Sequence, residues 1–304
     1  MAAKVRDSRA PRGLFVGLTT VDVIFSFARF PKEDTKNTAD RYAIAAGGPA
    51  SNAAVAFSYL GGTAHLISAL GRSSLAALAK RDLKRYHVRH IDLTETRVDD
   101  PAFSAVTISE ESGSRTILTS PVINDDLRSV DNGERWASVV DSVDIVLLDG
   151  HQTRVAEVIA SRAKEGGKPV VLDGDLYKPD LEAVLPMVDV AIFGKSFAVP
   201  GVEHSVDLLK YFASHGVAEV AATNGARTIR FLSGGAMGRV DVEPVNAVDT
   251  LAAGDFLHGA FCFRLTQGLG LEKALRLASD VARRSVSHFG TRAWMEEYGS
   301  TGRT

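Results

Sequence analysis

Four short apolar segments follow one another between Asp144 and Ala222: DIVLL at 144–148, VVL at 170–172, VAIF at 190–193 and EVAA at 219–222. Segments with helical spacing alternate with them, at 154–164, 181–185 and 206–214. Continuous apolar strands that alternate with helices are typical of a mostly parallel sheet that helices cover on both faces. This part of the chain therefore predicts an α/β core.

The N-terminal third continues this alternation but also contains β-rich segments that break it. Apolar strands at 14–18 and 64–70 and helices at 51–60 and 74–86 fit the core. Extended pieces at 21–27 and 42–46, and a hairpin from 103–109 and 115–120, predict a small inserted sheet. We expect one domain over 13–298, with this sheet drawn from about 20–46 and 100–120, and flexible tails at 1–12 and 299–304.

Composition excludes several classes of protein. The 304 residues include 35 Lys and Arg against 37 Asp and Glu, a net charge of −2, which lacks the basic footprint of a nucleic-acid binder. No apolar run approaches the ~20 residues that a membrane span needs, and the N-terminus lacks the apolar region of a secretory signal. We therefore expect a cytoplasmic protein without a nucleic-acid or membrane partner. The single cysteine, Cys262, excludes an internal disulfide and is expected to be a small buried hydrophobe.

The glycine motifs of two common nucleotide-binding folds are absent from the sequence. After the first strand the chain reads GLTTVD (17–22), which is not the G-x-G-x-x-G of a dinucleotide-binding fold. GKS at 194–196 matches the end of a P-loop, but Asp189 stands where its first glycine should be. The H-E-x-x-H zinc motif is also missing, and His87 and His90 are expected at the surface of a helix-to-strand turn.

Two other glycine segments carry the chemistry, GGPASNAAVAFSYLGG at 47–62 and VDTLAAGDFLHGA at 248–260. The second segment places small residues directly before a helix, with Asp255 in its first turn. Helix N-terminal amides and glycine together form a hole for an anion such as phosphate. A carboxylate beside this hole is placed to take a proton from a hydroxyl that attacks the phosphate. The alternative is that Asp255 is only a favourable first-turn acid.

Together the two segments resemble the paired signatures of the ribokinase-like (PfkB) family of carbohydrate and nucleoside kinases, G-G-x-x-x-N and D-T-x-x-A-G-D. The resemblance runs from about Leu14 to Gly290. Within the family, segments 30–34 and 112–118 are most similar to ketohexokinase, whereas 47–50, Lys36 and 171–175 are more similar to bacterial sulfofructose kinase. The resemblance implies a ribokinase-like three-layer α/β core with a mostly parallel central sheet and a small β-sheet lid.

The resemblance also implies a reaction, the ATP-dependent phosphorylation of a sugar hydroxyl, with Mg²⁺ on the ATP and K⁺ as a candidate monovalent cation. Carried over by position, Asp255 is the general base, and the amides of Ala252, Ala253 and Gly254 form the anion hole. The implied substrate-binding residues are Asp22, Gly48, Asn52, Arg115, Asp149, His151 and Lys36. The implied residues of the ATP side and the cation region are Thr223, Gly225, Asp249 and Thr250.

The sequence departs from the family pattern at three positions. Ala252 replaces the usual glycine of the anion-hole turn, which is tolerable if its φ angle is negative. The family's N-x-x-E motif, associated with Mg²⁺ and phosphate, is absent near 194–197. His151 stands where sulfofructose kinase has a sulfonate-binding arginine, and Lys36 is either an anion contact or a solvated charge. An anionic sugar therefore stays open beside fructose-like and ribose-like substrates.

Other functions also stay open on the sequence alone. A nucleoside kinase of the same fold is the first alternative, with a purine stacked on an apolar lid residue such as Phe103. A non-catalytic, sugar-binding regulatory homologue is the second, because of Ala252 and the missing N-x-x-E motif, although Asp255 argues against it. Sheets with exposed edges often pair with a second copy, so a homodimer through the lid is a further hypothesis.

Overall fold

The computed structural model describes residues 9–121, 134–174, 177–202 and 205–299. Its strands are β1 (Arg12–Val16), β2 (Thr20–Phe27), β3 (Arg41–Gly47), β4 (Thr63–Ser68), β5 (Arg89–Asp92), β6 (Phe103–Ser109), β7 (Arg115–Thr119), β8 (Ile145–Leu148), β9 (Val170–Gly174), β10 (Val190–Phe193), β11 (Glu219–Ala222), β12 (Ile229–Ser233) and β13 (Ala236–Val240). Its helices are α1 (Pro49–Tyr59), α2 (Ser74–Arg85), α3 (Glu134–Ser142), α4 (Thr153–Glu165), α5 (Ser205–Ser214), α6 (Ala253–Thr266), α7 (Leu271–Ser285) and α8 (Ala293–Gly299). Within these ranges, none of the helices combines the length and the apolar character that a membrane crossing requires.

Nine strands form the large sheet, in the order β13-β12-β11-β10-β9-β8-β1-β4-β5. Neighbours from β11 to β5 pair in parallel, and the hairpin of β12 and β13 adds an antiparallel edge. Successive strand residues face opposite sides, so Phe15 packs in the layer of α1, α6 and α7 while Leu14 packs in the layer of α3, α4 and α5. The predicted α/β core, with a mostly parallel sheet between two helical layers, is confirmed.

The second sheet has four strands in the order β3-β2-β6-β7, and we call it the lid. Strand β2 pairs with β3 antiparallel and with β6 in parallel, and β6 and β7 form a hairpin. The buried side chains of Ile24, Val106 and Ile108 pack with Leu251, which precedes α6. The small inserted sheet expected from the β-rich segments is therefore present, and it packs against the loop that leads into α6.

Several elements differ from those that the sequence predicts. Strand β5, with the sequence RHID, has no apolar run, and no strand is predicted there. Helices α3 and α8 have no predicted counterpart either. The segment 181–185, predicted to be helical, lies in two short 3₁₀ turns, Pro179–Ala183 and Leu185–Met187. Pro186 has no amide donor, so an α-helix could not continue through it without losing a hydrogen bond.

The prediction that His90 lies at the surface is wrong. It belongs to β5, its Nε2 lies 2.9 Å from the Ser68 hydroxyl, and burial lowers the pKa of its imidazole to about 4. The chain ends also carry more regular structure than predicted, because Arg12 begins β1 and Gly299 ends α8. Of the other residues in the predicted tails, 9–11 are described, whereas 1–8 and 300–304 lie outside the described residues.

Candidate active site

The candidate site lies where the parallel strands of the large sheet end. Asp149 directly follows β8 and Thr223 directly follows β11, so both lie at the carboxyl edge of the sheet. The N-terminus of α1 reaches the same edge, because the Ala50 amide donates a 3.0 Å hydrogen bond to the Asp149 carboxylate. In open α/β sheets, ligands bind outside this edge.

The loop that leads into α6 is held in place by Asp249. The two oxygens of this buried carboxylate accept hydrogen bonds from the amides of Leu251 and Gly290, each at 2.8 Å. Burial raises the pKa of Asp249, while these amides and the more distant Arg115 and Arg41 oppose the rise. Asp249 therefore joins the loop before α6 to the 288–291 loop, the region that the family resemblance assigns to a cation.

Ala252 does not have the negative φ angle that would make an alanine tolerable at this position. It caps α6 with φ 61° and ψ 8°, in the left-handed region that favours glycine. The left-handed turn is what directs the chain from the loop into the helix. The glycine that usually stands here in the family thus has a conformational reason, and this chain forms the same turn with an alanine.

The first turn of α6 has the form of an anion hole. The leading amides of a helix have no carbonyl partner within the helix and carry partial positive charge. The Ala253 amide makes one long contact, 3.4 Å, to the Thr250 carbonyl. Apart from its chain neighbours and the backbone of its own helix, no described atom lies within 4 Å of the point where a Cβ on Gly254 would stand, so the space beside this residue is open.

Asp255 lies in the same turn and is joined to α1 through Asn52. The Asn52 amide nitrogen donates a 2.8 Å hydrogen bond to Asp255 Oδ2, and Asn52 Oδ1 accepts a 3.0 Å bond from Arg292. The family resemblance assigns Asn52 to the sugar and does not identify Arg292. Nothing in the local sequence marks Arg292, because its partner lies 240 residues away.

Gly259 allows the two helices that carry Asn52 and Asp255 to approach each other. A Cβ built on Gly259, in the second turn of α6, would collide with the carbonyl of Ala53 in α1. Ala53 is the residue after Asn52, so this close contact between the helices lies beside the Asn52–Asp255 hydrogen bond. The glycine therefore sets the distance across which that bond forms.

Asp22 lies in β2 against Gly47 and Gly48. Its Oδ1 accepts a 2.6 Å hydrogen bond from the Thr20 hydroxyl, and burial raises the pKa of its carboxyl group. A Cβ on Gly47 would overlap this carboxyl group, and Gly48, at φ 91°, approaches the Leu18 carbonyl too closely for a side chain. The glycine pair is thus required because the Asp22 carboxyl group and the Leu18 carbonyl approach its backbone closely.

Asp149 is fully buried, and its carboxylate is occupied by neighbouring donors. Besides Ala50, the amides of Leu18 and His151 donate to it at 2.8 and 2.9 Å, and His151 Nδ1 lies 3.2 Å away. Burial alone would raise its pKa, but His151 and the Leu18 amide hold the pKa below its ordinary value. These contacts favour a role in positioning the backbone of the site over direct contact with a substrate.

Arg115 and Thr250, assigned to substrate and to cofactor, lie in contact with each other. Arg115 Nη1 donates a 2.8 Å hydrogen bond to the Thr250 hydroxyl, which lies 3.2 Å from the Gly113 carbonyl in the lid turn. Thr250 is two residues before Ala252. The lid hairpin therefore reaches the loop of the anion hole.

Thr223 and Gly225 lie at the end of β11, where the family resemblance places the ATP phosphates. The Thr223 amide donates to the Phe193 carbonyl at 2.9 Å, and Gly225 has the positive φ angle of a turn, 58°. Lys36, by contrast, is exposed in the connection between β2 and β3. None of the hydrogen bonds described above joins Lys36 to the site.

The position at which the family's N-x-x-E motif should end is part of the core. Phe197 is buried and packs with the rings of Phe193 and Phe212, at centroid distances of 5.7 Å each. A glutamate could not replace this ring without losing that packing. In the described part of the chain, no group of three or more His, Cys, Asp and Glu side chains is suited to hold a metal ion. Cys262 is buried, as predicted.

Comparison with known proteins identifies the family and the fold of the chain. The family model described as pfkB family carbohydrate kinase matches residues 12–297. The chain is 25% identical to a ribokinase of Haemophilus influenzae, over 91% of this chain and 93% of that protein. It is 24% identical to a ketohexokinase of Mus musculus, over 88% of this chain and 94% of that protein.

A solved structure, that of a putative ribokinase from Agrobacterium tumefaciens, superposes with a TM-score of 0.83 at 26% identity, covering 96% of this chain and 97% of that chain. The fold is therefore ribokinase-like, as the sequence predicts. The family model, the relatives and the fold all extend over nearly the whole chain. The chain belongs to the pfkB family of carbohydrate kinases and is a phosphotransferase that acts on an alcohol group.

Proposed function

We propose that the protein transfers the γ-phosphoryl group of ATP to a hydroxyl of a small sugar, with Asp255 as the general base. The observation that carries this proposal is the first turn of α6. There Asp255, hydrogen-bonded to Asn52, lies one residue after Gly254 and the open space beside it. A proton acceptor and a phosphate site thus lie next to each other.

In this mechanism Asp255 accepts the proton of the sugar hydroxyl as its oxygen forms a bond to the γ-phosphorus. The bond from that phosphorus to the β–γ bridging oxygen breaks, and ADP leaves. General-base help of this kind accelerates a reaction by roughly 10²–10⁴. The amides of Ala252, Ala253 and Gly254 stabilise the charge on the phosphoryl oxygens, since fixed donors there need no reorganisation.

We place ATP along the carboxyl edge of the sheet, with its phosphates between Thr223–Gly225 and the start of α6. Mg²⁺ usually binds phosphates and water rather than a cage of protein ligands. When bound to ATP it neutralises charge on the β- and γ-phosphates. We retain the hypothesis that K⁺ binds at the loop 288–291, beside Asp249. A comparison of turnover in potassium salts and in tetramethylammonium salts tests it.

Asp22 and Gly48 are the proposed contacts for the sugar hydroxyls, and Arg115 is the proposed lid contact for the substrate or the phosphate. A sugar fits this site better than a purine stacked on Phe103. Asp22 and Ser104 are register partners on one face of the lid, so Phe103, one residue earlier, lies on the opposite face and is 45% exposed. The residue on which the nucleoside alternative depended thus faces away from Asp22.

ADP release from ATP, measured separately with fructose, ribose, sulfofructose and adenosine, tests the proposal. We expect turnover with at least one of the three sugars and none with adenosine. Turnover with sulfofructose and not with fructose assigns an anionic substrate. Binding of a sugar without ADP release from any of the four compounds contradicts the proposal and favours the regulatory homologue.

A homodimer through the lid is the assembly that we propose. The outer face of the lid carries exposed apolar side chains on both edge strands, Tyr42 (72% exposed) and Ile44 (49%) on β3 and Leu118 (71%) on β7, and the strand register connects Ile44 to Leu118 through Val23 and Ala105. Contiguous exposed apolar surface of this kind marks an interaction site. Light scattering of the intact chain is expected to give the mass of a dimer, and Leu118→Lys is expected to give a monomer. A monomeric wild type contradicts this assembly.

A further inference from the structure

We propose that Arg292 is a positioning residue that fixes the orientation of the Asn52 side-chain amide, so that its NH₂ group and not its carbonyl oxygen faces Asp255. This inference rests on the proposed function, in which Asp255 is the general base. Arg292 is not among the residues proposed to contact the substrate or ATP. It acts on the base through Asn52.

Arg292 is a buried guanidinium, 9% exposed, that hydrogen-bonds to Asn52, Ala46 and Asp82 and also, at 3.3 Å, to the carbonyl of Thr291, the residue before it. Its Nη1 donates to Asn52 Oδ1 at 3.0 Å, its Nη2 to the Ala46 carbonyl at 2.6 Å, and its Nε to Asp82 Oδ2 at 3.1 Å. The Tyr86 ring lies 5.5 Å from its central carbon. A guanidinium held by a carboxylate and two oxygen acceptors has a fixed direction, so the proton that it presents to Asn52 is fixed as well.

The orientation of Asn52 follows from this donor. A guanidinium has hydrogen-bond donors only, so the atom of the amide that faces Arg292 must be the carbonyl oxygen. The other end of the amide, the NH₂ group, is then the end that meets Asp255 Oδ2 at 2.8 Å. A hydrogen bond donated to a carboxylate favours its ionised form. Arg292 therefore keeps Asp255 in the form that accepts a proton.

Without a donor at position 292, the side-chain amide of Asn52 can rotate by about 180°, which exchanges its carbonyl oxygen and its NH₂ group. Its carbonyl oxygen then faces the Asp255 carboxylate, and two acceptors in contact repel each other unless the acid carries a proton. A protonated Asp255 cannot take the proton of a sugar hydroxyl. Loss of Arg292 is thus expected to impair the base without any change to Asp255 itself.

Arg292 and Asp82 also hold the residue before the glycine pair. The Ala46 carbonyl accepts from Arg292, and the Ala46 amide donates to Asp82 Oδ2 at 3.0 Å. Ala46 lies at the end of β3, next to Gly47. The Arg292–Asp82 pair thus holds the residue before the glycine pair, at the root of the lid, whereas the hydrogen bond to Asn52 comes from Arg292 alone.

Other ionisable groups lie around this network and bear on any pH profile. Asp22 faces Arg292 from the lid, and Asp82 and Tyr86 face it from α2 and the residue after it. On the side of Asp255, His258 is one turn further along α6 and lies 3.2 Å from Asp173 of β9. The control variants must therefore separate the effect of Arg292 on Asn52 from a general change of charge.

The test compares Arg292→Met, Arg292→Lys and Asp82→Asn, with kcat and KM measured from pH 5 to pH 9. Methionine has no N–H donor, so we expect Arg292→Met to lower kcat at neutral pH at least tenfold, to move the acidic limb of the kcat profile to higher pH, and to recover at high pH. Arg292→Lys, which still donates, should retain part of the activity. Asp82→Asn keeps the donor to Asn52 and should lower thermal stability without moving the limb.

Two outcomes overturn the proposal. One is an equal loss of kcat at all pH values in Arg292→Met, and the other is the same shift of the limb in Asp82→Asn. If Arg292→Met does not fold, Asn52→Asp replaces it, because an aspartate still accepts from Arg292 but cannot donate to Asp255 when ionised. An unshifted limb in Asn52→Asp then overturns the proposal.

The effect of the Asn52 orientation on Asp255 is also measured without catalysis. Carbon-13 NMR follows the titration of the Asp255 carboxyl carbon, whose signal is assigned with Asp255→Asn. We expect its midpoint at higher pH in Arg292→Met than in the wild type, and equal midpoints overturn the inference. If the wild type turns over none of the sugars but the midpoint still differs between wild type and Arg292→Met, the proposed function fails while the role of Arg292 stands.

Discussion

Arg115 of the lid and Thr250 of the loop before α6 are joined by a 2.8 Å hydrogen bond, across 135 residues of sequence. This contact connects the lid hairpin to the anion hole, which begins two residues after Thr250. Closure of a lid excludes water that would compete for the phosphoryl group. The contact is therefore the place where closure of the lid and formation of the phosphate site can be tested together.

Thr250→Ala removes the acceptor of this bond and leaves the charge of Arg115 in place. We expect a several-fold loss in kcat/KM for the sugar, because the lid turn is no longer held against the loop. Thr250→Ser keeps the hydroxyl and should retain most of the activity. Equal losses in the two variants would show that the hydrogen bond is not the cause.

Ala252→Gly is expected to stabilise the protein. A left-handed conformation costs a non-glycine residue about 1–2 kcal/mol, and glycine adopts it without this cost. Because glycine also loses more entropy on folding, we expect a net gain of about 1 kcal/mol in the free energy of unfolding, measured by urea denaturation. Ala253→Gly, at the next position and inside the helix, is the control and should give no gain.

Gly259→Ala is expected to destabilise the protein and to lower turnover. The added methyl group would collide with the Ala53 carbonyl, and overpacking of this kind typically costs about 1–3 kcal/mol. Relief of the collision moves α1 from α6 and stretches the hydrogen bond from Asn52 to Asp255. Gly270→Ala is the matched control, because Gly270 has φ −72° and no atom within 4 Å of an added Cβ among the described residues. A wild-type melting temperature for Gly259→Ala contradicts this close approach of the two helices.

Asp149→Asn should lose stability in a pH-dependent way. The pKa of Asp149 is below its ordinary value in the folded protein, so its ionised form contributes stability above the ordinary pKa of an aspartate. That contribution is lost as the pH falls from the ordinary value, 3.8, through the lower folded value. The difference in unfolding free energy between wild type and variant should therefore be full at pH 7 and shrink below pH 4. Asp141→Asn, which breaks an exposed pair with Arg162, should show little difference at either pH.

The sequence predicts those parts of this protein that depend on local patterns. Apolar segments such as 190–193 correspond to buried strands, and the G-G-x-x-x-N and D-T-x-x-A-G-D motifs lie at the starts of α1 and α6. Strand β5 escapes prediction because RHID has no apolar run, and its pairing with β4 is a tertiary effect.

The contacts around the base escape prediction for a different reason. Arg292 and Asn52 are 240 residues apart, and only the folded chain brings the guanidinium to the amide. The φ angle of Ala252 is equally invisible in the sequence, because an alanine gives no sign of a left-handed turn. Family resemblance assigns the proposed base to Asp255, whereas the structure gives the contacts of that side chain with Asn52 and, through it, with Arg292.

The central claim is that Asp255 takes the proton from the sugar hydroxyl, and Asp255→Asn tests it most directly. With a sugar that the wild type phosphorylates, binding is measured by calorimetry and turnover by ADP release. We predict that the variant binds the sugar within a few-fold of the wild-type affinity and loses turnover by a factor on the order of 10² to 10⁴. Turnover close to that of the wild type would contradict the account.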